Sequence, residues 1–252
     1  MFSILDRTND EVKEGIGVFP TTLDNQIVSV YNTFMVDKRA FAVLATDVVV
    51  LTVDESNLKV LLTTAKSVSF RGMLTLPGGL VGFSEKTQGA AKRILKDVLT
   101  STDFYCEQIY TFDDPRRDPT GRVVSVGYLM LVPWNKAKFV LKNSASWNPV
   151  KTLPKLAYDH NEIVKLAVKR IAGKITYTNI VFGLMEEEFT LTELQRVYQI
   201  IIGKDLDRRN FRKKIKSLGI LKKLPKRRKG EAHRPAQLYS FKNKSLSEIE
   251  IL

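Results

Sequence analysis

The sequence predicts an α/β domain built on a mixed sheet, followed by a smaller and strongly basic domain of two helices and a hairpin. Three observations lead there. Apolar, β-branched runs alternate with turn signals through the first two-thirds of the chain, two amphipathic helices with clear start and stop signals follow, and the positive charge is confined to the end. A chain of 252 residues with 44% hydrophobic composition has material for two modest cores. The net charge of +13 is unevenly placed: residues 1–150 carry 17 Lys+Arg against 16 Asp+Glu, and residues 151–252 carry 23 against 11. Within residues 204–234 there are 14 basic residues and 3 acidic ones, a field that attracts a polyanion, although a solvated basic face fits the charge alone equally well.

Residues 1–38 are polar, carry Gly15, Gly17 and Pro20, and show no sustained period, so they read as an extension of uncertain order. From Phe41 the run FAVLATDVVVLTV, and then LKVLLTT from Leu58, predict two adjacent strands separated by the turn-like Asp54, Glu55, Ser56 and Asn57. A Leu-Pro-Gly-Gly turn at 76–79 precedes a helix expected from Ser84 to about Leu99, with Ala90, Ala91, Ile94, Leu95 and Val98 facing a sheet. The run VVSVGYLMLV at 123–132 predicts a strand buried on both faces. Trp147, Asn148 and Pro149, with Leu153 and Pro154, read as a loop. After Asp159, Ile163, Leu166, Ala167 and Ile171 fall at helical spacing, as a connector between domains requires. The expected division is 1–38 extension, 39–158 first domain, 159–175 connector helix, 176–245 second domain and 246–252 tail.

In the second domain Thr190 and Glu193 have the spacing of a capping box, and Leu191, Leu194, Val197, Tyr198 and Ile201 form one apolar stripe ending at Gly203. Asp207 caps a second helix running to Gly219, on which Phe211, Ile215 and Leu218 turn inward. The opposite side carries Arg209, Lys213, Lys216 and Ser217, flanked by Arg208, Asn210, Arg212 and Lys214. Residues 220–224 read as a short strand, 225–234 as a basic loop and 237–241 as a returning strand. That order is a winged helix-turn-helix, whose second helix enters the major groove, where Arg pairs with guanine, Asn with adenine and Lys with phosphate. Arg208, Arg209, Asn210, Arg212, Lys213 and Lys216 are the candidate DNA-binding residues of the helix, and Arg227, Arg228 and Arg234 those of the wing. His233 reads as a wing or solvent residue rather than a metal ligand.

Gly79, Glu85 and Arg93 have the spacing that opens a Nudix box, the motif with which Nudix hydrolases hold divalent cations on a helix. The full box continues with a glutamate directly after the arginine and a glutamate pair three residues further on. Here Ile94 and Val98 stand at two of those positions, and only Glu85 and Asp97 remain acidic. A magnesium ion, which takes several oxygens in octahedral geometry, finds too few; no metal and no catalytic residues are expected. Arg116, Arg117, Asp118 and Arg122 surround a turn before the third strand, and arginine forks suit phosphate oxygens. The plainer reading is a surface loop with local Arg–Asp pairs.

Taken together, residues 76–81, 110–112, 117–119, 124–128, 153–160, 189–195, 206–214 and 234–239 resemble the Nudix-related NrtR regulators of NAD metabolism in bacteria. The resemblance spans about residues 41–242. It implies a Nudix-like domain that no longer hydrolyses and senses ADP-ribose or a related nucleotide or sugar. It also implies a winged helix that binds double-stranded operator DNA as a homodimer, with the ligand releasing the DNA. On this reading Gly79, Glu85, Arg93, Arg116, Arg117, Asp118 and Arg122 bind the effector, and the protein is a repressor without a cofactor. A Nudix pyrophosphatase that uses nucleic acid for localisation, and an adaptor with a basic tail, are the alternatives. The single cysteine, Cys106, reads as a small buried hydrophobe and, with no apolar leader and no membrane-length run, points to the cytoplasm.

Overall fold

The computed structural model describes residues 41–137, 145–228, 235–249 and 251. The expected 1–38 extension, Arg234 and His233 lie outside them.

The first domain is organised by β1 (Val43–Val53), whose period-two alternation feeds both faces of a seven-stranded sheet. Val49, Leu51 and Val53 belong to one apolar cluster, while Val48 and Val50 belong to another. Strand β2 (Leu58–Thr64) returns antiparallel to β1 across the Asp54 turn, where Asp54 Oδ1 accepts the amides of Ser56 and Asn57. Short strands β3 (Leu74–Thr75) and β4 (Gly78–Leu80) lie on either side of Leu76 and Pro77, so the two glycines expected in the turn belong to β4. β3 pairs with β2, and β4 with β1. Strand β5 (Tyr105–Phe112) is antiparallel to β6 (Val123–Leu131), and β6 is parallel to β1, which makes the sheet mixed. The burial of β6 on both faces matches its apolar composition.

Helix α1 (Thr87–Lys96) starts three residues later than the sequence pattern marks, because Gly82 to Glu85 form a hydrogen-bonded turn ahead of it. Its buried Ala91 and Leu95, with Val98 and Leu99 beyond its end, cover the sheet face of Val48, Val50, Tyr128 and Met130. The short helix α2 (Trp134–Ala137) follows β6.

Trp147, Asn148 and Pro149, expected as loop, belong to strand β7 (Ser146–Pro149) against β2, with Leu61 opposite Trp147. Two polar residues and a proline carry little strand propensity; the pairing is tertiary, fixed by the Trp147 indole donating to Ala137 O at 2.6 Å.

Helix α3 (His160–Tyr177) presents Ile163, Val164, Ala167, Ile171 and Ile175 to the second face of the sheet, and the same apolar cluster continues into the helices and hairpin beyond it. The two domains therefore share one core, and the described residues from Ala42 onward pack as one unit. Past α3 come β8 (Phe189–Thr190), α4 (Leu191–Ile202), α5 (Arg208–Ser217), β9 (Leu221–Arg228) and β10 (Ala236–Phe241). Their three strands form a second sheet in the order β8-β10-β9. Among the described residues, no helix is long and apolar enough to cross a membrane.

Candidate nucleic-acid interface and ligand cavity

Both ends of α4 are built by the expected local chemistry. Thr190 Oγ1 accepts the amide of Glu193 at 3.2 Å, Glu193 Oε2 accepts the amide of Thr190 at 2.7 Å, and Gly203 closes the helix at φ 72°. The turn to α5 is held from α4: Gln195 Nε2 donates to Leu206 O at 2.8 Å and Gln199 Nε2 to Asp205 at 3.0 Å. Asp207 then caps α5 by accepting the amide of Asn210 at 2.8 Å. Phe211 and Ile215 are buried, Phe211 lying edge-on to Tyr198 at 5.2 Å. Tyr198 is fully buried, its hydroxyl has no hydrogen-bond partner among the described residues, and burial pushes its pKa up.

On the outer side of α5, Arg208, Arg209, Asn210, Lys213, Lys214, Lys216 and Ser217 are exposed, and Arg208, Arg209, Arg212, Lys213 and Lys216 line one open face with Asp207. Arg212 differs from its neighbours. It is half-buried, donates from Nη2 to Thr192 Oγ1 at 2.9 Å, and its Nε is buried without a partner among the described residues. Desolvation, then the charge of Arg208, lowers its pKa.

The wing strand is longer than expected. Pro225, Lys226, Arg227 and Arg228 belong to β9 rather than to a loop, because β9 is an edge strand on which a proline need give up no ladder hydrogen bond. The register shifts between Gln237 and Tyr239, and there the Gln237 amide donates to Leu224 O and, at 3.2 Å, to Lys226 O. Arg227 is exposed. Arg228 bonds Glu193 and, at 3.2 Å, Glu188 O, and Lys226 pairs with Glu188 at 3.0 Å, so the wing is tied to the start of α4.

In the first domain a cavity of about 200 Å³ opens beside the Leu-Pro-Gly-Gly segment, lined by residues that include Asp47, Gly78, Gly79, Arg117, Asp118, Tyr158 and His160. Gly78 is obligatory here, since a Cβ would sit 2.1 Å from Asp47 Oδ1. Arg117, expected as an open fork, is only 7% exposed. Its Nε and Nη2 donate to the two carboxylate oxygens of Asp159 at 3.0 and 2.8 Å, and Nη2 also to Asp47 at 3.1 Å. Asp47 further accepts Ser125 Oγ at 2.6 Å and faces His160 Nε2 at 3.5 Å. His160 Nδ1 accepts the amide of Leu76 at 3.0 Å, which leaves Nε2 to carry the proton toward Asp47. Burial alone raises the Asp47 pKa; His160, the Ser125 hydroxyl and Arg117 outweigh it and lower the pKa to about 2.

The other expected arginines do not converge on Arg117. Arg116 is 91% exposed at its side chain and lies 3.6 Å from Asp114, and Arg122 donates to Asp113 O at 2.6 Å. Asp118 lines the cavity but accepts from the Thr120 amide and hydroxyl of its own turn. Glu85 and Arg93 pair at 2.8 Å, with Arg93 also donating to Leu80 O and Glu85 accepting the Gly82 amide, so the pair fastens the turn to α1. Hydrogen bonding from Arg93 lowers the Glu85 pKa. Ile94 lies against the Gly79 backbone and Val98 is in the core. Among the described residues, no three His, Cys, Asp or Glu side chains cluster so as to hold a metal ion.

Sequence reasoning passed over Asp47, Tyr158, Asp159 and His160. A signal for Asp47 exists: a carboxylate inside an apolar strand is buried and requires a charged partner.

A mixed-sheet domain carrying a Nudix-type turn and helix, fused through a shared core to a basic winged helix, defines a class of DNA-binding regulators. Residues 181–241 match the NrtR DNA-binding winged helix domain. The chain is 30% identical over 204 residues to the ADPR responsive transcriptional repressor NtrR of Acinetobacter baylyi, covering 79% of this chain and 81% of that protein. The crystal structure of Shewanella oneidensis NrtR complexed with a 27mer DNA superposes with a TM-score of 0.71 at 30% identity, over 79% of this chain and 93% of that one. A stretch of 112 residues, 44% of this chain, is 31% identical to 66% of the ADP-ribose pyrophosphatase of Methanocaldococcus jannaschii. The chain belongs to the NrtR family.

Proposed function

We propose that this protein is a transcriptional repressor that binds double-stranded operator DNA as a homodimer and releases it on binding ADP-ribose or a related nucleotide, in the control of NAD metabolism. The observation that carries this reading is the outer side of α5. Capped, packed from beneath by Phe211 and Ile215, it offers Arg208, Arg209, Asn210, Lys213 and Lys216 to solvent on one rigid helix. The match to a repressor described as ADPR responsive supports the choice of effector. The cavity suits one end of such a ligand: about 200 Å³ is below the usual size of a whole small-molecule site, and it holds a buried arginine for an anionic group. Arg227 extends the basic surface along the wing, while Arg212, on the same face of α5, and Arg228 also tie the helices and the wing to each other.

A hydrolytic reading draws on the likeness of the first domain to a pyrophosphatase. The residues present do not fit a catalytic cation. Glu85 is spent on Arg93 and the Gly82 amide, while Ile94 and Val98 offer carbon where the box offers carboxylates. Fluorescence anisotropy with DNA from upstream of the protein's own gene and of nearby NAD-metabolism genes, against scrambled DNA at fixed salt, tests the proposal. Specific binding reversed by ADP-ribose is the expected result. Magnesium-dependent turnover of ADP-ribose with no preference among DNA sequences would replace it by the hydrolytic reading.

A further inference from the structure

We infer that the Arg117–Asp159 pair is the latch through which an anionic ligand in the cavity acts on the winged helix, with Asp159 as the positioning residue. The inference rests on the ligand-sensing reading of that cavity. Arg117 lines the cavity and is bonded to both carboxylate oxygens of Asp159, the residue that immediately precedes α3. A carboxylate at that position ordinarily caps the helix by accepting its free amides. Asp159 makes no such bond; only its carbonyl accepts, from the amides of Glu162 and Ile163. The side chain that could start the helix is instead held by the cavity's cation.

The residue between cavity and latch is also set for change. Tyr158 is the only described non-glycine residue with positive φ, at 55°, an arrangement that costs energy and persists only where its surroundings hold it. Its ring lies 4.3 Å from Phe70 and 5.2 Å from His160, and it lines the same cavity.

What the latch holds is a lever of 18 residues, about 27 Å long at the usual rise per residue. Its near end is at the cavity. Its far end is bonded to the tail, with Ile249 and Ile251 donating to the carbonyls of Tyr177 and Thr176. Along its length Ile171 and Ile175 sit in one apolar cluster with Leu194, Tyr198 and Phe211 of the helix pair. A phosphate oxygen entering the cavity competes with Asp159 for the Arg117 fork, frees the Asp159 carboxylate to cap α3, and shifts the lever. The bond between Arg117 and Asp159 is then a property of the DNA-binding arrangement, and the ligand stabilises the other one.

The test is Asp159→Asn, which keeps a capping side chain and removes the charge that holds Arg117. With no ligand present, the variant is expected to bind operator about fivefold or more weakly than the unaltered protein. Its ADP-ribose affinity should rise, because the variant moves the same two-state equilibrium toward the ligand-bound arrangement. Simple structural damage would lower both affinities. Unchanged operator affinity together with unchanged ADP-ribose affinity would overturn the latch. If the unaltered protein ignores ADP-ribose, the effector assignment falls; the latch then stands only if Asp159→Asn loses operator affinity with its melting temperature unchanged, and a lowered melting temperature overturns it. Should Asp159→Asn fold poorly, Asp159→Ser supplies a capping hydroxyl without charge and carries the same expectations.

Discussion

Arg209 and Arg212 are three residues apart on α5, both cationic, and the structure gives them different work. Both line the open basic face, but Arg209 is exposed, whereas Arg212 is half-buried and donates from Nη2 to Thr192 Oγ1. If Arg209 reads a base edge, Arg209→Ala removes a bidentate contact of about 1–3 kcal/mol, a loss of about 5- to 150-fold in operator affinity. Affinity for scrambled DNA falls much less. If it holds a phosphate instead, both affinities fall together and the slope of log affinity against log salt drops by about 1. In either case the melting temperature stays put, since an exposed side chain outside the core changes stability by about 0.5 kcal/mol or less. Arg212→Ala should do the reverse. It removes a hydrogen bond of about 1 kcal/mol, partly offset because the orphaned Nε goes with it, and so lowers the melting temperature by about 2–4 °C or less. Its salt slope changes less than that of Arg209→Ala, because its guanidinium is half-buried and bonded to Thr192. The assay is anisotropy of a labelled operator duplex at several salt concentrations, paired with calorimetry. Arg209→Ala with unaltered affinity and unaltered slope would refute the placement of α5 in the groove.

Three further outcomes are expected. Arg117→Leu leaves Asp47 buried without its cation and should cost about 3–5 kcal/mol, a melting-temperature drop of about 6–20 °C by calorimetry. Asp47, with its folded pKa lowered from 3.8 to about 2, binds fewer protons folded than unfolded between those values. Its contribution to stability is therefore complete above about pH 4 and lost as pH falls through about 2, an acid dependence that denaturant titrations should find missing in Asp47→Asn. Ile171→Ala opens a cavity in the core that both domains share and should cost about 2–5 kcal/mol. It should do so in a single calorimetric transition; two separated transitions would contradict a common core.

The winged helix was legible because its signals are local. A capping box, an apolar stripe, a left-handed glycine and an aspartate cap each act within four residues, and Thr190, Glu193, Gly203 and Asp207 do in the structure what their spacing implies. The strands β1, β2 and β6 were legible from composition for the same reason. What escaped depends on partners distant in sequence. Trp147 extends the sheet only because β2 offers an edge, and Pro225 to Arg228 continue a strand only because β10 returns beside them. Arg117 looked like a surface fork because its partners, Asp47 and Asp159, are 70 and 42 residues away. The arginine cluster dispersed for a related reason: Arg116 and Arg122 satisfy acceptors of their own loop, while only Arg117 reaches the interior.

The placement of α3 bears on how this protein can be taken apart and recombined. A segment that sequence alone marks as a connector is interior, apolar along one side and in contact with what lies before and after it. Domains that trade freely are joined by exposed linkers that few contacts cross. A chimera that exchanges the DNA-reading head at residue 178 would set a foreign surface against Ile163, Ile171 and Ile175, whereas one that exchanges it at residue 159 would cut the sheet from its own cover. Any transplant of this head must carry the helix with it, together with the sheet side chains of β1 and β6 that the helix has been shaped to meet.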